Sequence, residues 1–472
     1  MKIIIENLGV FRWAEYELSD LTIICGKNNT GKTYATYALF GFLDFFRHGF
    51  YIKIQPKFIT QLLEQGTTTI PINVTQEFVD RQLNLACEIY TKFLPKVFAA
   101  QNRYFENARF QVKIDASELI LPDKFENSYR TNRKDFLQII KTENKNEMVI
   151  SLLSKDNEME ETASLKKNLT KIIGDAMKNI LFENALRECF IASAERTGAV
   201  IFKDELNFQK NTLLREVANA EEINIEDIVD KIYSTNYALP VRRNIDFIRN
   251  LDSISKSEGV LCQQHPELLD IFNDIVGGTY KVTSKDGILY SPASARTLKL
   301  TIGESASSVR SLLDINFYLR YMARPNQILM IDEPELNLHP ESQRKLARLI
   351  ARLVNVGVKV FITTHSDYII KELNTLLMLN ARKDNNKIKQ LMQNKGYEDQ
   401  ELLNSEQIKV YISDKTNVLL PDHTRKIKCQ SLIEARIDPY FGIEARSFDN
   451  TIREMNSIQE SIMFSGYGHR DA

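Results

Sequence analysis

Residues 21–33 read Leu-Thr-Ile-Ile-Cys-Gly-Lys-Asn-Asn-Thr-Gly-Lys-Thr, and this stretch decides the fold. An apolar run, Leu21–Cys25, leads into Gly26–Thr33, which fits the pattern G-x-x-x-x-G-K-[ST]. Residues 34–46 contain no proline and only one glycine, Gly41, so they are able to continue as a helix. An order of strand, glycine loop and helix is the context in which this pattern binds phosphate. The sequence therefore predicts a phosphate-binding loop for a nucleoside triphosphate.

The residue types within this loop suit that role. Gly26 and Gly31 allow the backbone to turn tightly enough for its N–H groups to face phosphate oxygens. Lys32 is expected between the β- and γ-phosphates of ATP, and the Thr33 hydroxyl is expected to ligate Mg²⁺. The following helix would point its N-terminus at the phosphates. The predicted nucleotide-binding residues of the loop are Gly26, Asn28, Asn29, Thr30, Gly31, Lys32 and Thr33.

Composition places the chain among globular proteins of two or three domains. It has 472 residues, of which 43% are hydrophobic and 26% are charged. We find neither an apolar stretch long enough for a membrane helix nor the apolar region of a signal peptide at the N-terminus. The five scattered cysteines form no C-x-x-C pair, so we expect them to be reduced in a cytoplasmic protein. A net charge of −1 means that any contact with nucleic acid has to rest on a local patch.

A second motif supplies the acidic half of the expected site. The buried-strand run Ile328–Ile331 ends in Asp332–Glu335, which reads Asp-Glu-Pro-Glu and has the Walker B arrangement. Asp332 is predicted to hold Mg²⁺ through water, and Glu333 is predicted to act as the general base for the attacking water.

The segment after this motif predicts a βαβ unit. An amphipathic helix is expected from Pro340 until the break at Gly357, because apolar residues recur there with helical spacing. These residues are Leu346, Leu349, Ile350, Leu353 and Val354. A second buried strand, residues 358–364, then ends at His365, at the edge where open parallel sheets bind ligands. We interpret His365 as a sensor of the γ-phosphate; a purely structural histidine is the alternative.

Taken together, these motifs resemble the ABC-type ATPase heads of the RecF, SMC and OLD groups. The resemblance rests on Gly26–Thr33, on Asp332–Pro340 and on Thr364–Ser366. It implies an α/β fold: an ABC-type P-loop ATPase head, built from a parallel sheet and a flanking antiparallel sheet, with a large helical insertion. It also implies ATP and Mg²⁺ as ligands, a D-loop after Walker B, and His365 as the switch histidine.

The same family carries a signature helix before Walker B, whose start caps the ATP of a second protomer. Here that place is taken by Glu304–Leu312, so Ser307 and Ser308 are the expected nucleotide contacts in a pair of heads. The usual glycine is missing, and Ser308 or Val309 stands in its place, which argues against fast turnover. A helix N-cap without a functional role is the alternative interpretation.

Three segments are more specifically similar to the PtuA family, the ATPase subunits of Septu anti-phage defence systems, some of them attached to retrons. They are residues 26–34, 193–198 and 306–312. This similarity implies a bacterial cytoplasm and a homodimer or higher oligomer through the heads. It also implies a separately encoded HNH nuclease (PtuB) that the ATPase restrains or licenses, nucleic acid reached through that complex, and no membrane partner.

The chain divides into six expected segments. They are the N-terminal part of the head (1–46), a helical insertion (47–185), a head strand and loop (186–204), a helical arm (205–276), the C-terminal part of the head (277–420) and a tail (421–472). In the loop Ser193–Gly198, Arg196 is interpreted as reaching phosphates or the dimer partner, with Glu195 orienting it. An ion pair on the surface is an equally good interpretation of these two residues.

Two further features leave alternatives open. Residues 382–395 form a basic cluster that suits nucleic acid, although a solvated loop is the commoner case. In the tail, an apolar helix face is expected either to dock on the head or to meet a partner. It consists of Ile452, Met455, Ile458 and Ile462.

The function that fits these patterns best is an ATPase that controls a partner nuclease in defence. A RecF-like repair ATPase acting directly on DNA is the alternative, and the insertion and the altered signature argue against a transporter motor. We expect no intrinsic nuclease, because no Asp-x-Asp follows His365 and no His-Asn-His arrangement is found.

Overall fold

A computed structural model describes residues 1–131, 134–153, 163–201, 237–283, 287–421, 423–444, 455 and 457–461. The described residues form two compact units. The first, here called the insertion unit, comprises Met1–Ile5 and Ala38–Cys189. The second, here called the head unit, comprises Glu6–Tyr37 and the described residues from Phe190 onward.

The secondary-structure elements are numbered in chain order. The strands are β1 (Lys2–Leu8), β2 (Phe11–Glu17), β3 (Leu21–Cys25), β4 (Thr67–Pro71), β5 (Arg109–Lys113), β6 (Phe125–Thr131), β7 (Lys134–Lys141), β8 (Glu147–Leu152), β9 (Cys189–Ala192), β10 (Gly278–Thr283), β11 (Gly287–Pro292), β12 (Leu300–Thr301), β13 (Ile328–Asp332), β14 (Lys359–Thr364), β15 (Ile408–Val418), β16 (Ile427–Glu434), β17 (Ile437–Asp438) and β18 (Gly442–Ile443). The α-helices are α1 (Lys32–His48), α2 (Pro56–Gln65), α3 (Gln76–Thr91), α4 (Leu94–Val97), α5 (Ala163–Phe182), α6 (Arg196–Ile201), α7 (Leu239–Arg249), α8 (Leu251–Ile254), α9 (Val260–Gln264), α10 (Glu267–Val276), α11 (Ser307–Tyr321), α12 (Pro340–Asn355), α13 (Asp367–Asn380) and α14 (Asn386–Lys395). Short 3-10 helices cover Asn102–Tyr104, Ala116–Glu118, Ala293–Ala295, Asp399–Glu401 and Ser405–Gln407.

A six-stranded sheet with the order β16-β15-β3-β14-β13-β9 forms the centre of the head unit. β3 pairs in parallel with both β14 and β15, and β14 pairs in parallel with β13. β16 runs antiparallel to β15. The predicted parallel sheet is therefore confirmed, and β9, from the segment expected to return to the head, is its edge strand opposite β16.

The core strands are apolar throughout because both faces of the sheet are covered. Every residue of β3 and of β13 is buried. The amphipathic α12 lies between β13 and β14 in the chain, and its apolar residues Leu346, Leu349 and Ile350 belong to the same core. This is the predicted βαβ unit, and it brings the ends of β3, β13 and β14 to one edge of the sheet.

The flanking antiparallel sheet of the head unit is also confirmed. β11 pairs antiparallel with β10 and with β12, although β12 is only two residues long, Leu300–Thr301. A glycine is required at Gly278, because a Cβ there would lie 2.4 Å from the carbonyl oxygen of Ser291. The backbone of β10 can therefore approach β11 more closely than a side chain would allow.

The insertion unit contains more than the helices expected for residues 47–185. Besides α2, α3, α4 and α5, it holds a four-stranded antiparallel sheet with the order β4-β8-β7-β6. In β7 and β8 the buried residues alternate along the chain, which is the period of a sheet with one covered face. They are Leu137 and Ile139 in β7, and Met148 and Ile150 in β8. The insertion therefore contains the expected helices and, in addition, a sheet that the sequence analysis did not predict.

Of the arm expected at residues 205–276, the structure describes α7 to α10, and residues 205–236 lie outside the described ranges. Within these helices the apolar residues Ile245, Ile248 and Leu251 recur every three positions and are buried in the core of the head unit. None of the described helices is long and apolar enough to cross a membrane.

Candidate nucleotide-binding site

The phosphate loop lines a cavity of about 520 Å³ at the carboxyl edge of the central sheet. The cavity wall also contains residues more than 300 positions further along the chain, and the strand register explains how they meet. Thr364 is paired with Cys25, and Asp332 is paired with Thr363, so the segments that follow these three strands converge. The lining residues are Val10, Asn28, Asn29, Thr30, Gly31, Lys32, Thr33, Tyr34, Glu333 and His365.

Both glycines of the loop are needed for its shape. Gly31 has φ +102°, and a Cβ there would lie 2.7 Å from the side chains of Phe11 and Val10. A Cβ at Gly26 would lie 2.8 Å from the carbonyl oxygen of Ser413. The Ser413 hydroxyl in turn donates to the Thr30 carbonyl at 2.7 Å. The loop is therefore clamped between the start of β2 and the middle of β15.

The ammonium group of Lys32 folds back onto the loop. Nζ donates to the carbonyl oxygens of Gly26 and Lys27, each at 2.9 Å. Burial lowers the pKa of Lys32, while the nearby carboxylates, that of Glu333 foremost, act against this shift. Phosphate oxygens are stronger acceptors than carbonyls for such a cation, so a bound nucleotide would replace these contacts.

Asp332 presents a carboxylate oxygen that suits a cation. The residue is fully buried at the end of β13. Its Oδ1 accepts a hydrogen bond from the Thr363 hydroxyl, whereas Oδ2 is buried without a hydrogen-bond partner among the described residues. Burial raises the pKa of Asp332 to about 6, although the hydrogen bond from Thr363 acts to lower this pKa. An unsatisfied buried oxygen beside a loop that carries Thr33 fits Mg²⁺, which prefers oxygen ligands.

Glu333 lies on the cavity wall in an unusual backbone conformation. Its φ is +54°, in the left-handed region, and its N–H donates to the Thr363 carbonyl at 3.1 Å. The side chain is 27% exposed, so the carboxylate is open to the cavity. This placement is what a base for an attacking water requires.

His365 also lines the cavity and faces two carboxylates. Its Nδ1 is 3.2 Å from Oε1 of Glu335 and 3.5 Å from Oε1 of Glu333. Glu335 is buried, and the same Oε1 accepts from the Thr364 hydroxyl at 2.9 Å and from the His365 N–H at 2.7 Å. Sequence reasoning gave Glu335 no structural role; the structure makes it the residue that fixes the turn carrying His365.

The expected signature residues do not line this chain's own cavity. α11 begins at Ser307, and its N-cap is Ala306, without a capping side chain. The alternative that a serine caps this helix is therefore not observed. Ser307 is exposed and Ser308 is half-buried, so the first N–H groups of α11 have no side-chain cap.

Arg196 is neither a phosphate contact nor a surface ion pair, so both interpretations of it were wrong. The side chain is fully buried, and its partners among the described residues are all backbone carbonyls. Its bonds run from Nε to Ser311 (2.6 Å), from Nη1 to Ser193 (2.9 Å) and Asp332 (2.8 Å), and from Nη2 to Glu333 (3.0 Å). Glu195 instead accepts from the Tyr37 hydroxyl at 2.6 Å. Burial lowers the pKa of Arg196, and the Asp314 carboxyl is the foremost group that opposes this.

Asp314, on α11, is a further buried carboxyl group of the head unit. Neither of its carboxylate oxygens has a hydrogen-bond partner among the described residues. Burial raises the pKa of Asp314 to about 7, and the charge of Arg196 opposes the shift. The group is therefore protonated in the folded protein over a pH range in which it is ionised in the unfolded chain.

This difference predicts a stability that depends on pH. The folded-state pKa of Asp314 lies above the unfolded value, so its contribution to the free energy of unfolding falls as pH rises from about 4 to about 7. Asp314→Asn cannot ionise, so its Tm should exceed that of the wild type by a margin that grows over this range, reaching at least about 3 °C at pH 8. Asp270→Asn, at an exposed position of α10, is the control. Parallel Tm curves for Asp314→Asn and the wild type would contradict the assignment.

The basic cluster and the tail remain open to solvent where the structure describes them. Most of α14 and of the loop before it is exposed. Met455 and Ile458 are 56% and 54% exposed, so neither docks on the head unit. Ile452 and Ile462 lie outside the described residues.

A phosphate loop between a buried strand and a helix, facing an Asp-Glu pair at the end of a nearby parallel strand, defines a P-loop ATPase. The family described as AAA ATPase domain (AAA_15) matches residues 1–370 of the chain. The chain belongs to this family, and it is an ATPase. No curated protein matches the sequence at a significant level.

Among solved structures, SMC head domains are similar to this chain at low identity. The Smc head bound to the C-winged helix domain of ScpA is 10% identical with a TM-score of 0.32, over 92% of this chain and 97% of that chain. The Smc head with an extended coiled coil from Pyrococcus furiosus is 10% identical with a TM-score of 0.30, over 97% and 98%. The SMC head domain from Thermotoga maritima is 9% identical with a TM-score of 0.26, over 79% and 90%. The fold described above rests on the strand order and the phosphate loop of the chain itself.

Proposed function

We propose that this chain is the ATPase subunit of an anti-phage defence complex. Its heads pair around ATP, and this pairing controls a separately encoded HNH nuclease. The observation that carries the ATPase part is the convergence of Lys32, Glu333 and His365 on one cavity beside the unsatisfied oxygen of Asp332. Support for the defence role comes from the segments that resemble the PtuA family, residues 26–34, 193–198 and 306–312.

Each of the chain's residues at this site would have a separate role in ATP hydrolysis. Lys32 leaves the loop carbonyls to donate to the β- and γ-phosphates, while the loop N–H groups bind the other phosphate oxygens. Glu333 accepts a proton from the attacking water, and His365 donates a hydrogen bond toward the γ-phosphate. Mg²⁺, held by Thr33 and through water by Asp332, would neutralise charge on the phosphates.

Pairing of heads is proposed because the nucleotide cavity lacks the start of α11. Ser307 and Ser308 are not part of the cavity wall, yet they stand at an uncapped helix N-terminus, which suits an anion. In a head-to-tail pair, the start of α11 in each protomer would face the nucleotide of the other. Each ATP site would then be complete only in the dimer.

A second protein is proposed for cleavage of nucleic acid. Within the described part of the chain, no group of three or more His, Cys, Asp or Glu side chains is placed to hold a metal ion. The net charge of −1 also makes a strong general attraction to the phosphate backbone unexpected. The nuclease metal site would therefore reside on the partner.

The purified chain alone is accordingly expected to cleave neither DNA nor RNA, with or without ATP. Cleavage should appear only in the natively expressed complex, and mass spectrometry of that complex should identify an HNH protein. The complex carrying Lys32→Ala serves as the matched control, and it should lose phage protection. Robust Mg²⁺-dependent cleavage by the single chain, free of any copurifying protein, would contradict the proposal. Copurification of a DNA-repair factor in place of a nuclease would favour the RecF-like alternative.

A further inference from the structure

Arg196 joins three parts of the head unit that ATP hydrolysis has to coordinate. The guanidinium lies at the start of α6, directly after β9, and contacts the carbonyl of Ser193 behind it. On one side it reaches the carbonyl of Ser311 in α11, and on the other it reaches the carbonyls of Asp332 and Glu333. A single side chain therefore links the helix that starts at Ser307 to the end of the Walker B strand.

Burying the charged guanidinium of Arg196 costs free energy, which the hydrogen bonds of the group have to offset. A fully buried guanidinium is expensive unless its donors are satisfied, and here no carboxylate lies within ion-pair distance among the described residues. Four hydrogen bonds to carbonyls engage all three nitrogen atoms and use four of the five N–H donors of the group. Lysine has one nitrogen and no planar fork, so it cannot reproduce the set.

The two carbonyls at the end of β13 belong to the residues with the central roles in the site. Glu333 has its N–H bonded to Thr363 and its carbonyl bonded to Arg196, so the backbone is held on both sides of its Cα. Its φ of +54° is a conformation that a residue with a side chain adopts only when its surroundings enforce it. The Glu333 carbonyl also accepts from the Leu336 N–H at 3.1 Å, within the same turn. The bond from Arg196 is therefore the contact that ties this carbonyl to α6 and, through the same guanidinium, to α11.

We propose that Arg196 is a positioning residue that holds Glu333 in its active orientation and couples it to α11. The coupling rests on the proposed function, in which the start of α11 meets the nucleotide of the partner protomer. A shift of α11 on pairing would move the Ser311 carbonyl and, through the guanidinium, the backbone of Glu333. Binding of ATP at one site of the pair would thereby change the position of Glu333, the proposed base, at the other site.

The test compares Arg196→Lys with the wild type in ATP binding and in steady-state turnover. ATP affinity should stay within about threefold, while kcat should fall about 100-fold, as expected when a reacting group is displaced by about 1 Å. Arg352→Lys is the matched control. Arg352 lies near the C-terminal end of α12 and is also buried, but it binds the carboxylates of Glu398 and Glu401. This variant should change thermal stability without changing kcat at temperatures well below the Tm.

A double variant separates positioning from general damage. If Arg196 acts through Glu333, adding Arg196→Lys to Glu333→Gln should lower the residual turnover no further, whereas independent effects would multiply. Turnover of Arg196→Lys within threefold of the wild type, or multiplying effects in the double variant, would overturn the proposal. Arg196→Gln, measured in the same way, replaces Arg196→Lys if that variant does not fold. Wild-type turnover in Glu333→Gln alone would instead refute Glu333 as the base, which is a failure of the proposed function.

Discussion

Lys32→Ala is expected to weaken ATP binding by roughly 100- to 1000-fold, and turnover should disappear with it. In the proposed site the ammonium would donate charge-assisted hydrogen bonds to two phosphates, each worth about 1.5–3 kcal/mol, and alanine offers no donor in their place. In the free protein the same Nζ bonds only to the loop carbonyls of Gly26 and Lys27, which lie beside an open cavity where water can replace it. Isothermal titration with ATP and Mg²⁺ measures the change directly.

Lys27→Ala is the control for the loss of charge near the loop. Lys27 is exposed and contributes its carbonyl, so the variant keeps the contact with Lys32 and should bind ATP within a few fold of the wild type. Both variants should retain the Tm of the nucleotide-free protein to within a few degrees. Unchanged affinity in Lys32→Ala at matched Tm would mean that this loop is not the phosphate site.

Glu333→Gln is expected to bind ATP normally and to lower kcat by about 100- to 10,000-fold, the range of a general base. Glutamine has the same shape, and the backbone bonds to Thr363 and Arg196 do not depend on the side chain. Since hydrolysis stalls while binding continues, ATP-bound pairs of heads should accumulate. Single-turnover assays and light scattering with and without ATP report the two effects.

Two further variants test which glutamate is the base and whether the heads pair through α11. Glu335→Gln keeps an oxygen acceptor for Thr364 and His365, so it should lose much less activity than Glu333→Gln. If Glu333→Gln turns over like the wild type and Glu335→Gln is inactive, the base is Glu335.

Adding Ser308→Arg to Glu333→Gln should prevent the ATP-dependent pairs, because the new side chain fills the start of α11. Persistent pairs in that double variant would exclude head-to-tail contact through α11.

The sequence was sufficient for the parts of the site that form local patterns. The loop Gly26–Thr33 and the motif Asp332–Glu333 each follow an apolar run, and parallel strands have to end at a common edge. Their meeting at one cavity, together with His365, could therefore be predicted. The parallel sheet followed from the same reasoning, whereas the flanking antiparallel sheet was expected from the resemblance to ABC-type ATPase heads.

The contacts of Arg196 could not be predicted, for a physical reason. Its partners are backbone carbonyls, and a carbonyl is present at every residue, so such bonds leave no pattern of side chains along the chain. The carboxyl group of Asp314 has no hydrogen-bond partner among the described residues. Asp314 could not be predicted to be buried, because the charged residues of α11 resemble those of an ordinary exposed helix face. The sheet of the insertion unit was missed because its apolar alternation is short, covering Leu137 and Ile139 in β7 and Met148 and Ile150 in β8.

The position of β3 in its sheet has a consequence for the time at which the protein acquires activity during synthesis. Both neighbours of β3 come from far down the chain, since Cys25 is paired with Thr364 and with Ile412. A ribosome adding 5–20 residues per second needs roughly 20–80 s to make the second neighbour after the loop has emerged. Until residues 359–364 have been made, the nascent loop has neither of the two strands that flank β3 in this sheet. A fragment terminated before residue 359 would therefore bind no ATP and could not occupy a place in a pair of heads.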